Sequence, residues 1–131
     1  MSDILHKLCC VEHDAESDCV VMTWQGFATS YHFRKIYERV LELIENHNCN
    51  KLITDNRYML TFSPSDQVWL VEDWLPRITK AGLKYSAIIA PTLAATKSAV
   101  QDVVNKVNPD EIEQRFFASQ AEAKEWIKSL R

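Results

Sequence analysis

The run Lys51-Leu52-Ile53-Thr54-Asp55 constrains this chain most. Its length and side chains are those of a buried central strand, and stretches of helical periodicity stand on both sides of it. A buried strand between helices belongs to a layered α/β domain, whose parallel strands are joined by crossovers. Upstream, Phe33, Ile36, Tyr37, Val40, Leu43, Ile44 and His47 recur at helical spacing, with Ser30 placed to cap the start. Residues 46–50 end that helix. Downstream, Asn56-Arg57 is a polar stop and 58–62 reads as loop. Ser63-Pro64, with Asp66 in the first turn, opens a second helix, because proline at the first position lacks only a donor that would be orphaned anyway. That helix is expected to run to about Lys80, with Gly82 as its stop.

The same logic extends to both ends. The apolar runs 5–11 and 19–24 flank the polar cluster 13–18 and predict an antiparallel hairpin. Residues 85–90, closed by Pro91, predict a second parallel strand. Ala99, Val100, Val103, Val104 and Val107 predict a third helix over 95–107, stopped by Asn108-Pro109. Arg115-Phe116-Phe117 reads as a short last strand. Ser119 with Glu122 forms a capping box for a final helix that buries Ala123, Trp126, Ile127 and Leu130. The expected fold is one α/β domain over 1–131: a mostly parallel sheet of four to five strands, an N-terminal antiparallel hairpin and about four helices.

Composition narrows the function. Of 131 residues, 47% are apolar and two are glycine, which suits a domain able to bury its own core but not a phosphate loop or dinucleotide fingerprint. The net charge of −3 is spread without a basic stripe, so nucleic acid is not an expected partner. No stretch has the length of a membrane span, and the N-terminus lacks an export or transit pattern, so the expected location is cytoplasmic. Cys9, Cys10 and Cys19 lie in strand-like runs and, with Cys49, are expected to be reduced thiols. His6, His13, His32 and His47 form no ligand-spaced pair with cysteine or carboxylate, so neither a metal nor another cofactor is expected. No nucleophile motif or carboxylate pair stands out, so the chain is not expected to be an enzyme.

The element order, with Val21-Met22-Thr23-Trp24-Gln25-Gly26, Lys51-Leu52-Ile53-Thr54-Asp55-Asn56-Arg57 and the Trp-rich stretch 68–74, resembles the SpoIIAA-like branch of the STAS-like families along nearly the whole chain. The resemblance implies a non-enzymatic domain that binds protein partners, in some relatives through a phosphorylatable serine, with nucleotides or lipids associated with others. In the anti-sigma-factor antagonists the helix after the central strand opens with an Asp-Ser-Ser-Gly turn. This chain has Phe62-Ser63-Pro64-Ser65-Asp66 there, so Ser65 is the nearest match to the phosphoserine, while Ser63 and Ser65 also serve as ordinary capping residues.

Ligands in open α/β sheets lie beyond the strand carboxyl ends, which points to Asn56, Arg57, Tyr58 and Thr92. Arg57 beside the helix start at Pro64 would make an anion corner, unless it pairs with Asp55. On the second helix, 100° per residue places Val68, Val71, Leu75 and Ile78 inward, leaving Trp69 and Leu70 away from the sheet and Trp74 on its flank. Pro76 predicts a kink near Glu72 or Asp73. The leading expectation is a regulatory protein-interaction module, a homodimer, in contact through the 69–74 surface with Arg57 and Ser65 at its rim. The alternative is a carrier of a small apolar or anionic ligand, with its pocket between the second helix and the strand ends. A third reading has Trp69 and Trp74 packed beneath the 58–62 loop of the same chain.

Overall fold

The computed structural model describes residues 7–130. Strand β1 (Cys9–Asp14) pairs antiparallel with β2 (Cys19–Trp24); β3 (Lys51–Asp55), β4 (Tyr85–Ile89) and β5 (Glu113–Phe117) follow in parallel, so sheet order equals chain order. Four helices cover it. They are α1 (Ser30–Asn46), α2 in three consecutive segments (Pro64–Trp69, Leu70–Trp74 and Leu75–Ala81), α3 (Ala94–Val104) and α4 (Gln120–Ser129). This is the α/β architecture the sequence predicts. No described helix is long and apolar enough to cross a membrane.

Alternation along the strands divides the core in two. Val20, Met22, Leu52 and Trp24 face α1 and α2, whereas Cys19, Val21, Ile53, Ala87 and Ile89 face Ala123 and Ile127 of α4. Helix α1 docks through Phe33, Ile36, Tyr37, Val40, Leu41, Leu43 and Ile44. Its cap is Thr29 rather than Ser30, and no side chain bonds to the first turn. The Ser30 hydroxyl instead donates to Asp66 across to α2, at 2.9 Å.

The hairpin sits later than the apolar pattern suggests. The first part of the 5–11 run, with His6, lies outside the described residues; Lys7 and Leu8 are helical, and β1 continues through His13 and Asp14. Pairing with the six residues of β2 sets that register, from Cys9 opposite Trp24 to Asp14 opposite Cys19, and an edge strand tolerates the polar end. Helix α3 ends at Val104, before the predicted 107, because Lys106 and Val107 take bonds to the carbonyls three residues back and Gln114 donates to the Val104 carbonyl.

The largest departure is inside α2. Leu70–Trp74 forms a π-turn, in which the Leu75 N–H reaches back five residues to the Leu70 carbonyl. Pro76 explains its position: the ring cannot donate and would collide with the carbonyl four residues earlier, and the wider turn moves that carbonyl aside. The irregularity predicted near Glu72 and Asp73 is therefore a π-turn. It also changes the inward face. A spacing of four now stays in line, so Asp66, Leu70, Trp74 and Ile78 are buried while Val68 is 53% exposed. Leu70, expected away from the sheet, and Trp74, expected on the flank, are both turned inward; Trp74 donates from Nε1 to the Tyr37 carbonyl at 2.8 Å, and its ring meets Tyr37 edge-on. Trp69 is half-buried between Tyr37 and the Arg34 guanidinium.

Asp66 fastens α2 to α1. It is 2% exposed and accepts from Ser30 Oγ and from Arg34 Nε at 3.1 Å, while its own N–H is capped by Ser63. Asp66→Ala should lower stability by about 2 kcal/mol, tempered because Arg34 retains solvent. Urea denaturation measures it, and a loss below about 0.5 kcal/mol would mean that the contact contributes nothing.

Candidate functional site

Between the sheet and helices α2 and α3 lies a cavity of about 90 Å³. Its floor comes from alternate residues of three strands: Leu52, Thr54 and Asn56 at and beyond β3, Ser86 and Ile88 on β4, and Gln114 on β5. The walls are Leu70, Trp74 and Leu75 of α2 and the valines of α3, with Met59 and Phe62 closing one end. The lining is therefore apolar with a polar stripe on the floor.

Asn56 is the anomaly in that stripe. The residue is 3% exposed, and its side-chain Oδ1 has no hydrogen-bond partner among the described residues. A buried carbonyl without a donor costs about 1–3 kcal/mol, so its presence beside a cavity asks for a donor from outside the chain. The backbone fixes its aim: Asn56 N–H donates to the Ile89 carbonyl at 3.1 Å, continuing the ladder beyond β3. No carboxylate, lysine, arginine, histidine or cysteine lines the cavity among the described residues. Its titratable group is Tyr37, whose hydroxyl burial pushes well above the usual phenol range.

The residues singled out from sequence separate into three places. Asn56 and Trp74 line the cavity. Arg57 does not: the alternation that points Asn56 inward sends Asp55 and Arg57 to the α4 side. There Asp55, 1% exposed, takes two bonds from the Arg57 guanidinium at 2.8 and 3.1 Å and a third from Gln120 Nε2 at 2.9 Å, and Gln120 also reaches Thr23. Tyr58 is exposed under the Arg57 guanidinium, and Thr92 donates to the Arg57 carbonyl at 2.8 Å. The arginine at the start of α2 is Arg34, which donates to Ser65 Oγ at 3.3 Å as well as to Asp66. Ser65 is thus an exposed residue away from the strand ends, and the expected anion corner at Arg57 is an internal ion pair.

A second grouping involves one of the histidines. His13 Nε2, Asp18 Oδ1 and Cys49 Sγ lie within 4.8 Å of one another. Spacing could not show this, because Cys49 is 31 residues from Asp18 and reaches the hairpin only through the α1 crossover. Signals for the cavity were present but weak: Thr54 and Ser86 interrupt the apolar runs of β3 and β4 on one face. Comparisons with family models, curated proteins and solved structures find no match for this chain.

Burial alone would raise the Asp55 carboxyl, but its bonds from Arg57 and Gln120 outweigh that and hold it below the ordinary carboxylate range. A lowered folded pKa stabilises the chain above the unfolded value and is lost as pH falls through the folded one. Asp55→Asn should therefore cost about 2 kcal/mol at pH 7 and flatten the acid limb of the stability curve below about pH 4. Melting curves across pH measure both; an unchanged acid limb would remove the ion pair from the account.

Proposed function

We propose that this chain is a non-enzymatic binding protein for a small, neutral, mostly apolar molecule that carries one hydrogen-bond donor, held on a STAS-like frame. The unpartnered Asn56 Oδ1 beside an apolar cavity carries this reading. The absence of charged groups from the described lining favours a neutral ligand over the anionic one anticipated from Arg57. Size sets the class. At about 90 Å³ the space is smaller than the ~150 Å³ cavity known to take benzene, so it suits a short branched chain as it stands and one ring once the little-buried α3 moves outward. At about 1 kcal/mol per non-hydrogen atom, below the ceiling of about 1.5, a ligand of about seven atoms binds with a Kd on the order of 10 μM. Entry would run past α3, where only Thr96 and Ala99 are buried and Val100, Val103, Val104 and Val107 are half-exposed.

Phenol and toluene test the reading as a pair. Phenol should raise Tm saturably, and Asn56→Leu should weaken phenol by about tenfold, leave toluene no weaker and stabilise the free protein by about 1 kcal/mol. If a wider panel of such molecules leaves Tm unchanged, or the variant binds phenol normally, the proposal falls.

The interaction reading also has an observation in its favour, though at a new place. Phe27, Tyr58 and Leu60 are 51%, 63% and 45% exposed, and the Leu60 N–H donates to the Gly26 carbonyl, so two loops present one apolar patch at the strand carboxyl ends. A homodimer would use this patch rather than 69–74. Sedimentation should then show a dimer that Leu60→Asp dissociates; a monomer at about 100 μM, well above a micromolar Kd, would remove this reading.

A further inference from the structure

We infer that His13, Asp18 and Cys49 form a binding site for one divalent transition-metal ion of the zinc type. The three ligand atoms come from different segments: the end of β1, the hairpin turn and the loop between α1 and β3. They are an imidazole, a carboxylate and a thiol, the donor set zinc takes in tetrahedral sites with one position left for water or an outside ligand. Tetrahedral bonds of about 2.0–2.3 Å put ligand atoms roughly 3.3–3.6 Å apart. The present spread of 4.8 Å at most closes to that by small side-chain movements.

Several features hold the group in place. His13 Nε2 already meets Asp18 Oδ1 at 2.9 Å, and the His13 ring is stacked on His47 at 3.8 Å with the planes 3° apart, which fixes its orientation. His47 is the C-cap of α1, so the ion would lie near the negative end of a 17-residue helix, where a cation is favoured. Asp18 is held in the left-handed region at φ 50°, close to the thiol: Cys49 Sγ donates to the Asp18 and Lys51 carbonyls at 3.4 Å each.

Charge supports the same occupant. Without a cation the Cys49 thiol keeps its proton and directs it at the Asp18 and Lys51 carbonyls. A divalent ion would displace that proton and be neutralised by one thiolate and one carboxylate. The 61% exposure of the Asp18 side chain leaves a path from solvent. Nothing in this site touches the cavity, so its success or failure is independent of the ligand proposal.

Cobalt titration of the full chain, followed by zinc competition, is the test. One ion per chain should bind, with the visible bands of tetrahedral cobalt and a thiolate-to-cobalt charge-transfer band that zinc abolishes. His13→Gln should weaken binding by about 100-fold or more, and Cys49→Ser should remove the charge-transfer band. Asp18→Asn, at an exposed position, serves as the variant that keeps the fold and should also weaken binding, whereas His32→Ala outside the group should not. Absence of stoichiometric binding, or a charge-transfer band that persists in Cys49→Ser or full affinity in both His13→Gln and Asp18→Asn, would overturn the assignment.

Discussion

Everything on the α2 side of the sheet depends on a hydrogen bond that Pro76 cannot make. A regular helix across 70–76 would bring the proline ring against the carbonyl of Glu72, at a cost of about 3 kcal/mol. The π-turn at Leu70–Trp74 avoids that collision and adds fractional turn, which brings Leu70 and Trp74 onto the buried face with Asp66 and Ile78. Trp74 then meets Tyr37, Asp66 meets Ser30 and Arg34, and the helix is tied to α1 at its start and at its middle. The wall of the cavity is the face that this rotation exposes to the sheet.

The two faces of the sheet consequently do different work. Below, Cys19, Val21, Ile53, Ala87 and Ile89 are fully packed against α4, with the Asp55, Arg57 and Gln120 bonds closing its edge. Above, the strands carry Thr54, Ser86, Asn56 and Gln114 under a helix, α3, that buries little of itself. Hydroxyls and amides under an apolar roof lower stability unless they meet partners. A fold with one dense face and one under-packed, polar-floored face is arranged to keep space, and Asn56 Oδ1 marks where that space is chemically incomplete.

How much of this the sequence discloses follows from the range of each interaction. The strands, the parallel crossovers, the Ser63-Pro64 helix start and the Ser119 cap are local in origin and readable from period and capping chemistry. A period of 100° per residue assumes a regular helix and so misplaces the α2 face; Pro76 announces an irregularity but not its form. The strand-end rule finds Asn56, yet it puts Arg57, one residue on, in the same place although alternation sends it to the other face. The grouping of His13 with Asp18 and Cys49 lay beyond any spacing argument, since it exists only after α1 has crossed over the sheet. The details that bear on function came from side-chain geometry.

The central claim is that the space between β3, β4, α2 and α3 is a binding site. A methyl-resolved NMR titration with phenol locates the occupant directly. The account predicts saturable shifts for Leu52, Leu70, Ile88, Val103 and Val104, with Ile53, Ala123 and Ile127 on the α4 side unchanged. Saturable shifts confined to the α4 side, or no saturable shift on either face, would contradict it.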